Sequence, residues 1–107
     1  MRKAWFIAAL AALAACEAPD LGAPTAADHQ AAEAFAATAI ESRFPSYGHA
    51  APVASCIAQG ATDQELLQLA GQAGRIRESA KITLAVAIAQ RPATQTCIVN
   101  KNVPPLG

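Results

Sequence analysis

Charged and aromatic residues are scarce in this chain of 107 residues. Charged residues make up 15% of it, against about 25% in an ordinary globular protein, and aromatic residues make up 5%. Lys and Arg balance Asp and Glu at eight each, so the chain lacks the basic excess with which a protein binds a nucleic-acid backbone. The 53% of hydrophobic residues argues against disorder, and the length allows one domain at most.

The short motifs that carry common enzyme chemistry are also missing. The sequence has no Gly-x-Ser-x-Gly elbow, phosphate-binding loop, dinucleotide fingerprint or Cys-x-x-Cys-His haem site. His29 and His49 show no zinc-type spacing with the cysteines, and Glu33 and Glu41 would lie about 12 Å apart along one helix. We therefore predict no catalytic residues, no metal, no cofactor and no enzyme activity.

The longest apolar run is too short to cross a membrane and lies at the start of the chain. Arg2 and Lys3 precede an apolar stretch from Ala4 to Ala15, whose twelve residues fall short of the roughly 18–20 of a spanning helix. A short basic region followed by an apolar run of this length is typical of a secretory signal peptide. By this pattern alone the chain could be an ordinary secreted protein cut after Ala14 or Ala15, with Cys16 a spare thiol, or could retain the segment as an uncleaved N-terminal helix.

The apolar stretch ends in Leu13-Ala14-Ala15-Cys16, which resembles the lipobox of bacterial lipoproteins. In that family the cysteine thiol receives a diacylglyceryl group, a dedicated signal peptidase cuts before the cysteine, and the new amine is acylated with a fatty acid such as palmitate. The resemblance covers residues 1–16 and implies a signal peptide of residues 1–15, cleavage between Ala15 and Cys16, and lipidation of Cys16. Two or three acyl chains hold a protein stably on a membrane.

The same resemblance implies a location in the Gram-negative cell envelope, facing the periplasm. In enteric bacteria Asp after the lipidated cysteine favours the inner membrane. Here Glu17 occupies that position and does not settle the choice, and we favour the outer membrane over the inner. Residues 16–25 contain two prolines and a glycine, and we interpret them as the lipidated cysteine and a flexible tether to a domain of residues 26–107.

Two further cysteines, Cys56 and Cys97, predict a disulfide, because an even pair of cysteines in an exported chain is oxidised in the periplasm. The bridge would close a loop of about 42 residues and stabilise the domain by about 4 kcal/mol. The pair lacks the Cys-x-x-Cys spacing of redox-active sites.

Capping signals and apolar periodicity predict an all-α domain, a bundle of about four short helices. Thr25 with Asp28, and Thr62 with Glu65, have the spacing of capping boxes that begin the first and the third helix. Apolar residues at helical spacing continue the first helix to about Phe44.

Proline and glycine mark the ends of the second and third helices. Pro52 suits the first turn of the second helix, and Gly60 suits the position just past its end. Gly71 weakens the third helix and Gly74 is expected to end it.

The residue pattern in the last third of the chain is compatible with either a strand or a helix. Apolar residues alternate from Ser79 to Gln90, which favours a strand, but the small residues between them are mostly alanine, and we favour a helix. Thr94 to Val99 is expected to be extended or helical, and the tail from Asn100 to be loose.

These features favour a lipid-anchored envelope protein whose small helical domain has an interaction or structural role, with the membrane and an unidentified envelope protein as partners. Arg75, Arg77 and Lys81 form a basic cluster that either is solvated or contacts anionic lipid or cell-wall polymer. Two alternatives are a small toxin or stress lipopeptide resembling entericidins, and a periplasmic enzyme or ligand carrier.

Overall fold

The computed structural model describes residues 22–72, 74 and 76–106. Within these ranges the chain forms five α-helices and no strand, which confirms the all-α class and adds one helix to the four expected. The helices are α1 (Ala26–Arg43), α2 (Ala50–Gly60), α3 (Asp63–Ala70), α4 (Glu78–Ala89) and α5 (Pro92–Asn100). The predicted signal peptide and most of the predicted tether lie outside the described residues.

Two capping boxes begin α1 and α3, as the sequence predicts. The Thr25 hydroxyl accepts a hydrogen bond from the Asp28 amide at 3.2 Å, and the Asp28 carboxylate accepts one from the Thr25 amide at 2.9 Å. Thr62 and Glu65 repeat both bonds with the same two distances. Each box satisfies backbone N–H groups that a helix otherwise leaves without partners.

The core is aliphatic and built around α1, which packs most extensively against α2 and α3. Three of the four buried positions of α1 are alanines, so its backbone lies close to its neighbours. The larger side chains come mainly from the other helices. The bulkiest fully buried aliphatic side chains are Ile40, Ile57, Leu66, Leu69, Ile88 and Ile98.

The segment with alternating apolar residues is the helix α4. Its fully buried positions, Ala85, Ile88 and Ala89, lie on one side, while Leu84 and Val86 are half-buried on the two flanks. A helix covered on more than one side carries apolar residues around most of its circumference, which produces the alternation that also fits a strand.

Both predicted glycine boundaries are wrong. Gly60 is the last residue of α2, and a Cβ atom there would lie 2.5 Å from the Thr94 hydroxyl oxygen. Glycine is needed at this position for the close approach of α5. Gly71 ends α3 in place of Gly74, because Gly71 takes the left-handed conformation (φ 84°) and its N–H bonds the last carbonyls of the helix.

The C-terminal segment begins with the helix α5 and continues as a non-helical tail that packs against the core. Pro92 opens α5 at a position where its missing N–H costs nothing. The expectation of a loose tail is wrong, because Val103 and Leu106 are half-buried against the core and the Tyr47 hydroxyl donates to the Pro104 carbonyl. Two apolar side chains and one hydrogen bond therefore hold the tail beside the loop that joins α1 and α2.

Candidate functional site

The lipidation site predicted from the sequence, Cys16, lies outside the described residues, as does the cleavage point between Ala15 and Cys16. Both stay predictions. Among the helices of residues 22–72, 74 and 76–106, none combines the length and the apolar character that crossing a bilayer requires.

The disulfide predicted between Cys56 and Cys97 is confirmed. It joins α2 to α5 across 41 residues of sequence, with the two Cα atoms 5.7 Å apart. Cys56 is fully buried, whereas Cys97 is partly exposed. Because Cys56 is bridged, it is not available as a thiol nucleophile.

A two-pronged ion pair joins the Glu65 carboxylate of α3 to the Arg91 guanidinium at the start of α5. The two nitrogen–oxygen distances are 2.8 and 2.5 Å, and one guanidinium nitrogen also donates to the Gly60 carbonyl at 3.3 Å. The side chain of Arg91 is 40% exposed and that of Glu65 is 19% exposed. The sequence shows Glu65 as a capping residue but carries no signal of this partner 26 residues later.

The contact with Arg91 fixes the protonation state of Glu65. Hydrogen bonds from Arg91 lower the pKa of the Glu65 carboxyl to about 2, and hydrogen bonds from Thr62 act in the same direction against the opposing effect of partial burial. The same contact raises the pKa of Arg91. Glu65 is ionised at neutral pH and serves as an ion-pair partner and helix cap, which leaves it no proton to donate.

The other candidate residues do not converge. His29 is exposed on α1, and His49 is exposed with its ring edge-on to Tyr47 at 5.3 Å between centroids. The Tyr47 hydroxyl bonds Pro104, and burial raises its pKa. Within the described ranges no three His, Cys, Asp or Glu side chains lie close enough together to hold a metal ion.

The basic cluster is only partly described, since Arg75 lies outside the described residues. Arg77 is exposed and precedes the first turn of α4. The Lys81 ammonium lies over the Phe35 ring, 4.2 Å from its centroid, which is a cation–π contact between α4 and α1. Lys81 therefore has a packing role that the sequence pattern did not reveal.

A shallow groove of about 330 Å³ runs between α1 and α2 and is open to solvent. Its walls are mostly alanine methyl groups, with one carboxylate and one amide. This volume is at the small end of the range for ligand sites. Ligand sites are usually concave and largely enclosed, whereas this groove is shallow and open. The residues that line the groove are Gln30, Glu33, Ala34, Ala37, Ala51 and Ala54.

Comparisons with known protein families, with curated proteins and with solved structures give no match for this chain.

Proposed function

We propose that the protein is a lipoprotein of the bacterial cell envelope, anchored through Cys16, whose small helical domain acts in an interaction or structural role at the membrane surface. The observation that carries this proposal is the sequence Leu13-Ala14-Ala15-Cys16 directly after a basic and an apolar segment of signal-peptide type.

The disulfide supports export. Bridges persist in the periplasm and other oxidising compartments and are rare in the cytosol. The chain has three cysteines, and the bridge takes two of them, Cys56 and Cys97. Cys16 is thus the one cysteine outside the bridge, and it occupies the lipobox position.

The position of the first helix supports presentation of the domain close to a membrane. α1 begins at Ala26, so residues 17–25 would separate the lipidated cysteine from the domain. A flexible segment of this length spans about 15–20 Å on average. The domain would then lie just clear of the lipid headgroups, able to meet a partner at the same surface.

Fatty-acid labelling of cells that express matched cysteine variants tests the anchor. The wild-type chain and the Cys56→Ser/Cys97→Ser variant are expected to incorporate labelled palmitate and to sediment with membranes, since both retain Cys16. The Cys16→Ser variant is expected to lose the label and to keep residues 1–15 attached. Its distribution between the membrane fraction and the soluble fraction is expected to change.

Two outcomes would contradict lipidation at Cys16. If the Cys16→Ser variant is labelled as strongly as the wild type, or if mass spectrometry of the purified wild-type protein finds an unmodified Cys16, the protein is not a lipoprotein. The double variant serves as the control for cysteine replacement as such.

A further inference from the structure

The last helix has few non-covalent contacts with the rest of the domain. α5 is nine residues long, and its buried side chains are Thr94 and Ile98. A helix of this length is not stable by itself in water, so it needs tertiary contacts to persist. The bridge at Cys97 is the one covalent contact among them.

One of the two buried contacts is unfavourable. The Thr94 hydroxyl is buried, with the residue 1% exposed, and has no hydrogen-bond partner among the described residues. It lies against Gly60, where no side chain is present to bond it. Burying a hydroxyl without a partner destabilises the folded state, so Thr94 opposes the docking of α5 while Ile98 favours it.

The ion pair at the start of α5 does not compensate for this weakness. Arg91 is 40% exposed, and an ion pair whose cation has so much access to water contributes little to stability because water screens the attraction between the two charges. The tail beyond α5 is held by half-buried side chains and a single exposed hydrogen bond.

The bridge itself is asymmetric. Cys56 lies in the core and is fully buried, whereas Cys97 lies on the outer helix and is partly exposed. Thiol–disulfide exchange begins when a thiolate reaches one sulfur of the bridge. Because Cys97 is the bridged residue with solvent exposure, we expect a thiolate to approach the bridge from the Cys97 side.

We propose that the Cys56–Cys97 disulfide is a redox latch, which holds α5 and the C-terminal tail in place and releases them when a dithiol reduces it. The reductant's thiolate attacks the sulfur of Cys97, the S–S bond breaks, and the sulfur of Cys56 leaves as a thiolate and takes up a proton. The second thiol of the reductant then displaces Cys97 from the mixed disulfide. The reductant ends as a disulfide and the protein as two thiols.

Release would leave most of the core in place. α1 contacts α2, α3 and α4 directly, α4 also contacts α2 and α3, and of the bulkiest buried aliphatic side chains only Ile98 belongs to α5. The reduced protein is therefore expected to be a four-helix domain with a free C-terminal segment. The latch is independent of the lipid anchor, since its residues all lie in the described domain.

Hydrogen–deuterium exchange on the full chain tests the latch. The protein carries Cys16→Ser, so that the bridged pair provides its only thiols, and it is compared before and after reduction with dithiothreitol. Amides of residues 95–102, which donate the backbone hydrogen bonds of α5 and of the turn after it, are expected to exchange at least ~10-fold faster after reduction, while α1 to α3 change less than about 3-fold. Uniform acceleration of all helices, or no change, would overturn the proposal.

Trapping of the mixed disulfide in the bridged protein tests the route of attack. The oxidised Cys16→Ser protein is exposed briefly to limiting glutathione, free thiols are blocked with iodoacetamide, and mass spectrometry locates the two adducts. Glutathione on Cys97 with the alkyl group on Cys56 is expected at least ~10-fold more often than the reverse arrangement. Equal amounts would show that attack at Cys97 is wrong, and the same reaction in urea, where both sulfurs are exposed, gives the control for intrinsic reactivity.

Discussion

α1 and α5 pack on the same core by opposite means. α1 is twice as long, with 18 residues against 9, and its contacts are spread along its length through Ala32, Ala36 and Ala39. α5 buries two side chains and depends mainly on the bridge at Cys97, with a smaller contribution from the ion pair at Arg91. One helix is held by many small contacts and the other by a few discrete links.

The difference shows where the domain is sensitive to change. Distributed packing through methyl groups leaves no room for a larger side chain, because interiors are close-packed. α5 is held by a few individual bonds, so the loss of any one of them should lower the stability of its docking. We expect α1 to be sensitive to enlargement of its side chains and α5 to loss of a single bond.

The largest effect is expected from removing the bridge. Cys56→Ala/Cys97→Ala should lower the free energy of unfolding by about 4 kcal/mol, because the unfolded chain regains the freedom of a long loop. Urea unfolding of the variant against oxidised wild-type protein measures the loss, and reduced wild-type protein is the control for cysteine replacement as such. A loss below about 1 kcal/mol would show that α5 is held by distributed contacts like α1.

Enlarging a buried alanine of α1 should come next. Ala36 is fully buried, so Ala36→Leu is expected to destabilise the fold by about 3 kcal/mol through overpacking. Ala31 is exposed on the same helix, and Ala31→Leu is the matched control, expected to stay within about 0.5 kcal/mol of the wild type. Thermal unfolding of the two variants provides the measurement. Equal stability of Ala36→Leu and Ala31→Leu would show that the α1 interface is loosely packed.

The contact between Gly60 and Thr94 should give a smaller effect with a clear signature. Gly60→Ala is expected to cost about 2 kcal/mol, because its Cβ would lie 2.5 Å from the Thr94 hydroxyl oxygen. Thr94→Ala removes that oxygen, so the double variant should recover at least about 1 kcal/mol of the loss. Additive costs in the double-mutant cycle would argue against the close contact.

The smallest effect is expected from the ion pair, and it depends on pH. The pKa of Glu65 is lowered to about 2 in the folded protein, so its contribution is present above the pKa of the unfolded chain, about 4.3, and is lost as the pH falls toward 2. Glu65→Gln should cost about 0.5–1 kcal/mol at pH 7, given the exposure of Arg91, and almost nothing at pH 2.

Unfolding of Glu65→Gln and wild type across this pH range provides the measurement. Glu41→Gln, which replaces an exposed glutamate of α1, is the control and should retain the wild-type pH profile. A Glu65→Gln variant whose stability follows the wild-type curve down to pH 2 would show that the pair contributes nothing.

Local patterns were sufficient for the start of two helices and for the bridge. Thr25 with Asp28 and Thr62 with Glu65 cap their helices through partners three residues away, so a short window of sequence contains the whole interaction. The contacts of Arg91 with Glu65 and of Tyr47 with Pro104 join residues 26 and 57 positions apart, and nothing near either residue indicates its partner.

The glycines also separate what local sequence predicts from what distant contacts decide. Gly71 and Gly74 both offer a left-handed helix end, and the packing of α3 selects the first, which one residue's preference does not reveal. Gly60 has no positive φ at all and is required by the approach of another helix. Residue preference identifies positions where a turn is possible, whereas the neighbours decide which one is used.

The sequence by itself determined the helical class, the capped starts of α1 and α3 and the pairing of Cys56 with Cys97, because each depends on nearby residues or on there being few cysteines to pair. Only the tertiary structure decided that Thr94 faces Gly60 and that Arg91 reaches Glu65. Such contacts depend on the relative placement of whole helices, which is set by the packing of the complete core.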